Sequence, residues 1–460
     1  MLLQRALLLL LAALPATIPS PAPGATCNAL DFGAVGDGRT DDTAALRAAL
    51  AACAAPNSTV LLPAATRSGA AATYLSAPLN LTSSNLTFLL AGTLLASPNP
   101  ATYPIVAGLP SYFPAYWRWQ PFLWVYRAVG VRIAGGGTLD GQGDAYFWPA
   151  WFNGSLQDAY NMRRPMLLEI YGGSDAVVED VRTRRPAFWA IHPVYTTRFT
   201  LQRLDVRSPV GSPNADCIDP DSSSWGLVQD CTLAGGDDNI AVKSGRGEAG
   251  RAFNQSSHHI TLRNITLLHG LGVTVGAESA GGVHDIHVQG LTALNTLTAV
   301  HVQSPRWLDG SWAGGGGAWN LLFEDIAVQG VATAVFLNAW WGEIEATGHA
   351  FPAAIAPPPA PNATTPRLDN VTVRNVAGLG SDGPGPATID CFMVGNLQCL
   401  PEAPCTRISL QNVSLRGYKH WACANVEGLV YAGVSPDPGL DGCAGSDSLS
   451  APHYHASAFN

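Results

Sequence analysis

The sequence is poor in charge, since Asp, Glu, Lys and Arg make up 13% of its 460 residues. The formal net charge is −9 and no basic face is visible, which argues against a nucleic-acid partner because phosphate binding needs such a face. After the N-terminal segment, no apolar run reaches about 18 residues, the length that suggests a membrane-spanning helix. Heptad-type helical runs are also absent, and the 48 Gly and 34 Pro favour a single β-rich body.

The N-terminus has the features of a secretory signal peptide. One Arg is followed by a Leu- and Ala-rich core of about ten residues and then by small residues and prolines. We expect residues 1–25 to be removed, with cleavage between residues 16 and 25, and the protein to be secreted to the extracellular space or the cell wall. Nine N-glycosylation sequons agree with this route; they lie at Asn57, Asn80, Asn85, Asn153, Asn254, Asn264, Asn362, Asn370 and Asn412.

Nine cysteines are too few for a disulfide scaffold in a chain of this length. Five of them lie near the C-terminus, where we expect local disulfides from Cys399 to Cys405 and from Cys423 to Cys443, with one partner left open. Cys231 stands where the pattern requires an apolar residue, so we interpret it as a thiol in the core.

A short phrase, apolar-x-x-apolar-x-apolar, recurs along the chain and fits a strand followed by a turn. Successive copies begin 23, 27, 34, 26, 35, 50 and 37 residues apart, and a period near 23 to 27 with insertions is typical of a solenoid. The sequence therefore predicts an all-β parallel β-helix over residues 26–450 and a C-terminal tail over 451–460. A β-sandwich is the alternative, but it would not need the repeated phrase. The copies begin at Val178, Leu201, Val228, Leu262, Val288, Phe323, Val373 and Leu410.

Polar residues recur at intervals close to one coil. The interval from Asp216 to Asp237 matches one short coil. The intervals from Asp237 to His269 and from His269 to His301 are equal, and each fits one coil with an insertion. Because adjacent coils lie about 4.8 Å apart, residues one coil apart become neighbours in space. The residues expected to meet in one place are Asp216, Asp237, Asp238, His269, His301 and Gln303.

Two adjacent acids in one cleft suit the cleavage of a glycosidic bond. One carboxylic acid protonates the leaving oxygen, and another carboxylate activates water or attacks the sugar. Crowding of like charges raises the pKa of at least one acid, which keeps it protonated near neutral pH. A solvated turn or a Ca²⁺-binding loop would explain the pair at Asp237 and Asp238 alone, but not its register with Asp216 and His269.

These residues closely resemble the motifs of the polygalacturonase family, glycoside hydrolase family 28. The family pattern N-T-D, G-D-D and G-H-G corresponds to "NAD" at 214–216, "GDD" at 236–238 and "HG" at 269–270. Upstream, "LDFGAVGDGRTDDTAALRAAL" is similar to the N-terminal segment of pectin-acting β-helices. The resemblance covers about residues 28–443 and implies a right-handed parallel β-helix.

The resemblance also implies a role for each motif residue. Asp237 would be the general acid, and Asp216 and Asp238 would hold and deprotonate the attacking water, with inversion at the anomeric carbon. His269 would tune the acid or share in proton handling, and Asn214 would support Asp216. Coils about 4.8 Å apart place carboxylates at a spacing that is usually associated with retention, so the stereochemistry stays open.

One motif departs from the family. The family's R-I-K, which binds the uronate carboxylate, aligns with "HVQ" at 301–303, so a permanently charged pair is replaced by a titratable ring and a neutral amide. Lys243 and Arg306 could compensate for the lost charge, and Trp340 could stack on a sugar face. The candidate substrate-binding residues are therefore Asn214, Lys243, His301, Gln303, Arg306 and Trp340.

Taken with the resemblance, the sequence predicts a secreted glycoside hydrolase that cleaves α-glycosidic bonds of a pectic polysaccharide. We expect a monomer without cofactor or metal, and exo action is favoured over endo action. Rhamnogalacturonan, xylogalacturonan and a non-pectic uronan stay open as substrates. The alternatives are a Ca²⁺-dependent polysaccharide lyase, which would need a basic residue to remove a proton, and a non-catalytic carbohydrate-binding β-helix.

Overall fold

The computed structural model describes residues 23–112, 116–156, 163–304, 316–339, 365–380, 393–418 and 421–437. Within these residues there are three α-helices, at Thr43–Ala52 (α1), Phe147–Phe152 (α2) and Gly247–Phe253 (α3), and three short 3-10 helices, at Ala29–Phe32, Pro100–Thr102 and Gly143–Ala145. None of these helices has both the length and the apolar character needed to cross a membrane. The rest of the regular structure is β.

The strands of the first half are β1 (Thr26–Asn28), β2 (Asp37–Asp41), β3 (Thr59–Leu62), β4 (Thr73–Ser76), β5 (Leu79–Leu81), β6 (Thr87–Leu90), β7 (Thr93–Ala96), β8 (Ile105–Ala107), β9 (Trp117–Trp119), β10 (Leu123–Tyr126), β11 (Arg132–Ala134), β12 (Thr138–Asp140), β13 (Leu168–Tyr171), β14 (Ser174–Glu179), β15 (Arg182–Arg184), β16 (Ile191–Val194), β17 (Thr197–Gln202) and β18 (Asp205–Arg207). Those of the second half are β19 (Ser224–Ala234), β20 (Ile240–Val242), β21 (Ser257–His269), β22 (Val273–Val275), β23 (Val283–Leu294), β24 (Thr298–Gln303), β25 (Gly317–Gln329), β26 (Thr333–Asn338), β27 (Arg367–Leu379), β28 (Met393–Gln398), β29 (Cys405–Arg416), β30 (Trp421–Ala424), β31 (Val426–Glu427) and β32 (Val430–Ser435).

The repeated phrase of the sequence marks how the coils stack. Its eight starting residues lie opposite one another on consecutive parallel strands, and all eight are buried in one apolar core that runs through the coils. The predicted parallel β-helix is therefore confirmed, and a β-sandwich is excluded. In order of pairing these residues are Val178, Leu201, Val228, Leu262, Val288, Phe323, Val373 and Leu410.

One face of the coils carries the polar residues of interest, and we call it the cleft sheet. It consists of β5, β10, β13 and β16, and then of β20, β22, β24, β26, β28 and β30. Single bridges from Ile191 to Ile218 and from Ile218 to Ile240 join the two groups of strands. The segment around Ile218 thus completes a continuous face, on which residues from successive coils lie side by side.

Left-handed residues form a column where the long strands bend. Asp230, Asn264, Asp325, Asn375 and Asn412 have φ between 52° and 59°, a conformation that Asn and Asp tolerate better than other residues with a side chain. Their side chains are hydrogen-bonded between coils: Nδ2 of Asn264 donates to Asp230 at 2.7 Å, and Nδ2 of Asn412 donates to Asn375 at 3.1 Å. The column fixes the bend in each coil.

A second left-handed column lies at the other end of the same strands. Asp285, Asn320 and Asn370 have φ of 54°, 56° and 53°. Nδ2 of Asn320 donates to Oδ1 of Asp285 at 3.1 Å, and Nδ2 of Asn370 donates to Oδ1 of Asn320 at 2.9 Å. Asparagine is thus used repeatedly as a structural residue of the turns.

The N-terminal end of the solenoid is closed by α1, which buries Leu46 and Ala49 against the first coils. A disulfide that the sequence analysis did not foresee, between Cys27 and Cys53, ties β1 to the residue that follows α1. A terminal coil has a neighbour on one side alone, so it gains most from such a covalent link.

Removing this disulfide by the double substitution Cys27→Ser and Cys53→Ser is expected to destabilise the N-terminal end by about 2–4 kcal/mol. Because the coils contact mainly their neighbours, amide hydrogen exchange should accelerate in α1 and β1 while the central strands keep their protection. Cys231→Ala, which alters a free buried thiol in a central coil, is the control. Equal loss of protection along the whole solenoid would contradict this prediction.

Near the C-terminus, the predicted disulfide between Cys399 and Cys405 is present. Cys423 is also disulfide-bonded, but its predicted partner Cys443 lies outside the described residues. Cys231 is a free, buried thiol, as expected from its place in the repeat.

Candidate active site

Three carboxylates come together at the middle of the cleft sheet. Asp216 precedes the bridging residue Ile218, and Asp237 and Asp238 lie between β19 and β20 one coil later. Carboxylate oxygens of the three residues lie within 4.8 Å of one another. Asp216 and Asp238 are buried, whereas Asp237 is half-buried. The sequence-based expectation that Asp216 and the Asp pair are neighbours is therefore met by the geometry.

Neighbouring residues donate hydrogen bonds to both carboxylate oxygens of Asp237. Nδ2 of Asn214 donates to its Oδ2 at 3.3 Å, and the backbone N–H of Asp238 donates to its Oδ1 at 2.9 Å. Asn214 is held in turn by the buried Arg164, whose guanidinium donates to Oδ1 of Asn214 and to the carbonyl of Pro213, both at 2.6 Å. The side chain of Asn214 thus donates to Asp237, and its expected support of Asp216 stays a prediction.

Asp216 faces a buried ammonium group. Nζ of Lys243 donates to Oδ2 of Asp216 at 3.1 Å and lies 3.7 Å from Asp219 and 3.6 Å from Glu278. It also lies 3.8 Å from the centroid of the Trp189 ring, where a cation–π contact is favourable. The Lys243 side chain is 5% exposed, so its environment favours support of Asp216 over the sugar contact expected from the sequence.

The crowding of these acids changes their proton affinity. Burial raises the pKa of Asp216, and the Lys243 ammonium offsets part of that effect. Burial also raises the pKa of Asp238 well above its usual range, reinforced by the charges of Asp237 and Asp216. Burial alone would lower the pKa of Lys243, but the surrounding carboxylates raise it. Lys243 therefore stays protonated, and the acids around it share protons because like charges in contact cannot all be ionised.

A hydroxyl joins the acid cluster to the next coils. Oγ1 of Thr274 donates to Oδ1 of Asp238 at 2.5 Å and lies 3.5 Å from Nδ1 of His301. His301 is buried, and burial lowers its pKa to about 3, so its ring is neutral. The sequence had placed His301 in register with His269, which is wrong: His301 lies opposite Thr274. One coil separates Thr274 from His301, and it is shorter than the interval from His269 to His301 that was expected to be one coil.

His269 ends β21 beside the acid loop. Its Nδ1 lies 2.9 Å from the carbonyl oxygen of Gly235, which can only accept, so Nδ1 carries the proton. The backbone carbonyl of His269 accepts from Nδ2 of Asn239 at 2.7 Å. These bonds fix the ring next to the "GGDD" turn and leave Nε2 available for proton handling.

The remaining sequence-predicted site residues divide into two groups. Gln303 ends β24, is 5% exposed, and lies on the coil after Gly276. Arg306 and Trp340 lie outside the described residues.

Three residues around Lys243 were not predicted from the sequence: Asp219, Glu278 and Trp189. The signal for Asp219 was present, because an acid three residues after Asp216 and next to the apolar Cys217 and Ile218 must be paired or protonated when it is buried. Trp189 gave no such signal, since an aromatic residue in an apolar stretch is ordinarily a core residue.

The chain is similar to known proteins of one glycoside hydrolase family. The family profile described as Glycosyl hydrolases family 28 matches residues 115–435. A probable polygalacturonase from Vitis vinifera is 28% identical over 430 residues, covering 89% of this chain and 79% of that protein. An exopolygalacturonase from Cochliobolus carbonum is 22% identical over 343 residues, covering 68% of this chain and 69% of that protein.

Solved structures agree on the fold. A hyperthermoactive exopolygalacturonase from Thermotoga maritima superimposes with a TM-score of 0.72 at 22% identity, covering 90% of this chain and 93% of the other. An endo-xylogalacturonan hydrolase from Aspergillus tubingensis gives a TM-score of 0.67 at 21% identity, covering 89% of this chain and 100% of the other. These likenesses confirm the right-handed parallel β-helix. The profile match spans most of the chain, including the three carboxylates, and the chain is therefore a glycoside hydrolase that belongs to family 28.

Proposed function

We propose that this hydrolase cleaves α-glycosidic bonds of a pectic polysaccharide by carboxylate acid/base catalysis. The observation that carries the proposal is the cluster of Asp216, Asp237 and Asp238, whose carboxylate oxygens lie within 4.8 Å of one another. The polygalacturonase relatives support the pectic substrate class. Hydrolysis needs one proton donor and one proton acceptor on either side of the bond, and the cluster contains both.

Each acid has a role that fits its contacts. Asp237, the half-buried member, donates its proton to the leaving oxygen as the C–O bond breaks. Asp216 and Asp238 hold the attacking water and accept the proton that water loses as its oxygen bonds to the anomeric carbon. Burial raises the pKa of Asp216, but the Lys243 ammonium counteracts this and so favours the ionised form that accepts a proton. His269, fixed through Nδ1 beside the acid turn, shares in proton handling through Nε2.

Support for the remaining features is of different kinds. Exopolygalacturonases among the relatives and structural neighbours favour exo action. The hydrophobic leader favours secretion, removal of residues 1–25 and an extracellular or cell-wall location for a mature β-helix over residues 26–450. We expect inversion from the roles assigned to two water-binding carboxylates, and we expect a monomer.

The decisive experiment incubates the purified protein with a panel of pectic oligosaccharides and follows new reducing ends, with the anomeric configuration of the first product read by NMR. The expected result is release of terminal units as the anomer opposite to that of the substrate. A product that keeps the anomeric configuration of the substrate would mean that one carboxylate attacks the sugar and forms a covalent intermediate, instead of binding the attacking water. Binding without any new reducing end would favour a non-catalytic carbohydrate-binding β-helix.

A second candidate, a Ca²⁺-dependent lyase, is favoured by one observation: Asp216, Asp237 and Asp238 are close enough to hold a cation together. Against it, one of the three is already engaged by the Lys243 ammonium. We therefore expect a chelator to leave the rate of reducing-end release unchanged. Loss of activity on chelation, restored by Ca²⁺ and accompanied by an unsaturated product that absorbs in the ultraviolet, would establish the lyase instead.

A further inference from the structure

A groove of about 590 Å³ crosses β14, β17, β19 and β21, which belong to the 20-stranded sheet and not to the cleft sheet. We call it the outer groove. Its floor is a row of residues that lie opposite one another on these strands: Val177, Thr200, Leu227 and Thr261. Its volume lies within the range of about 300–1,000 Å³ that ligand-binding clefts have. The groove is therefore large enough to hold a short stretch of a polymer.

One wall of the outer groove continues the second left-handed column into earlier coils. Between Asp175 and Asp285, this column contains Arg198, Trp225 and His259, with φ of 53°, 58° and 54°. A left-handed turn suits Asn or Asp, whereas a bulky residue is strained there. Trp225 is 56% exposed, so burial in the core does not offset the strain. Strain that packing does not explain points to a function.

The indole ring of Trp225 is supported from one side. The ring of His259, on the following coil, stacks on it with centroids 4.1 Å apart and an angle of 28° between the planes, and His258 of the same coil contacts it edge-on. Among the described residues, no ring or cation stacks on Trp225 from the preceding coil. A supported Trp ring with one open face is suited to stacking on the apolar face of a sugar.

Arginine side chains stand on both walls of the outer groove. Arg263 donates to Oε1 of Gln229 and has no acidic partner in the part of the chain that the structure describes. Arg198 donates to both carboxylate oxygens of Asp175, at 2.6 and 2.8 Å, and has further N–H groups to donate. Two arginines and one aspartate thus line the groove, although the whole chain has a net charge of −9. Arginine pairs with carboxylates, so this local charge favours an acidic sugar.

The outer groove and the acid cluster are separate sites on the same coil. Trp225 lies near the start of the 11-residue strand β19, whereas the turn that carries Asp237 and Asp238 follows the end of that strand. A ligand in the outer groove therefore leaves the cleft open to substrate.

We propose that the outer groove is a second, non-catalytic binding site for the acidic polysaccharide that the enzyme degrades. This inference rests on the proposed function and adds a site outside the cleft. Trp225 stacks on a uronate ring, and Arg198 and Arg263 pair with carboxylates of the bound stretch. The hydroxyl groups of Thr200 and Thr261 lie between them and contact those of the sugar. A polymer held here raises the effective concentration of its own glycosidic bonds at the acid cluster.

The test measures binding in the Asp237→Asn background, which keeps the polymer intact. Polygalacturonate and a short oligogalacturonide are titrated by calorimetry into this protein, with and without Trp225→Asn. The substitution introduces a residue type that the left-handed turn favours, so the fold should be retained. We expect the Kd for the polymer to rise about tenfold, equivalent to about 1.4 kcal/mol. We also expect one fewer oligogalacturonide to bind to each protein molecule.

Matched variants separate the outer groove from the rest of the surface. Leu379→Asn removes an exposed apolar side chain from a later strand of the same sheet and should leave polymer binding unchanged. Arg263→Gln should weaken binding and reduce its salt dependence, whereas Arg39→Gln, on the exposed strand β2, should do neither. Unchanged polymer binding in Trp225→Asn would overturn the inference. So would self-association that Trp225→Asn abolishes while polymer binding persists, because the groove would then join two copies of the chain.

The two proposals fail in different ways. In protein with Asp237 intact, Trp225→Asn should lower kcat/KM for the polymer and leave it unchanged for a short oligosaccharide that occupies the cleft alone. Equal losses on both substrates would mean that the substitution disturbs the cleft, and this would overturn the second site. Absence of hydrolysis with every pectic oligomer would overturn the proposed function, while calorimetry would still decide for or against the outer groove.

Discussion

Asp237→Asn is expected to lower kcat by about a thousandfold while leaving substrate affinity nearly unchanged, because a positioned general acid contributes about 10² to 10⁴ in rate. The side chain keeps its size, and its amide oxygen can still accept from the backbone N–H of Asp238, whereas the new amide nitrogen cannot accept from Nδ2 of Asn214. The loss should shrink with a substrate whose leaving group needs no protonation. Steady-state kinetics on a natural oligosaccharide and on one with an activated leaving group measure both effects.

The matched control is Asp230→Asn, which makes the same change in the outer turn column. Asp230 accepts a hydrogen bond from Asn264 and lies away from the cleft sheet, so its substitution should leave kcat within about twofold. Full activity in Asp237→Asn would remove the proposed acid. A loss of equal size with both leaving groups would assign Asp237 to water activation instead.

Lys243→Met is expected to reduce both stability and activity. It removes the ammonium that Asp216, Asp219 and Glu278 share and leaves buried carboxylates without a counter-charge, which costs about 3–5 kcal/mol when a buried ion pair is broken. The cation lowers the pKa of Asp216, so its loss raises that pKa. Asp216 is then protonated at a higher pH, and the acidic limb of the kcat/KM profile should move to higher pH.

The sign of the stability effect can be checked separately. Carboxyls whose pKa is raised in the folded state stabilise it while they are protonated and lose that contribution as the pH rises above their unfolded pKa. The substitution Lys243→Met should therefore lower the free energy of unfolding more at about pH 7 than at about pH 4, which is close to the unfolded pKa of Asp. Thermal unfolding across this range measures the difference.

Two further variants separate charge from packing. Lys243→Arg keeps the cation and should keep more of the pH profile than Lys243→Met, although its larger head has to fit beside Trp189. Arg207→Met breaks a partly exposed pair with Asp205, and it should cost no more than about 1 kcal/mol. Lower stability of Lys243→Met with an unchanged pH profile would mean that Lys243 has a structural role alone.

The fold was predictable from sequence because its repeat is carried by buried apolar residues. Val178, Leu201 and Val228 lie opposite one another on successive strands. The register is fixed because a slip of one residue would turn every apolar side chain of a strand out of the core. The disulfide of Cys399 was predictable for a different reason, because its partner Cys405 is close to it in the sequence. Cys27 and Cys53 are joined across α1, and nothing local in the sequence indicates that approach.

The site was predictable only to the precision of one coil. Asp216 and Asp237 meet because the short coil between them contains no insertion. His301 was misplaced because turn lengths differ between coils, so spacing in the sequence does not identify the opposite residue. The surroundings of Lys243 were not predictable for another reason: whether a cation is exposed or buried depends on the acids around it, which come in part from other coils.

The left-handed turn columns also change how the sequons are to be interpreted. At Asn264, Asn370 and Asn412 the left-handed turn favours asparagine, and its amide already donates to the preceding coil. The next residue points into the core and the third returns to the strand surface, where Thr and Ser are favoured, so the triplet arises from backbone geometry alone. Counting such triplets in a solenoid therefore overstates the number of oligosaccharides that the chain was selected to carry.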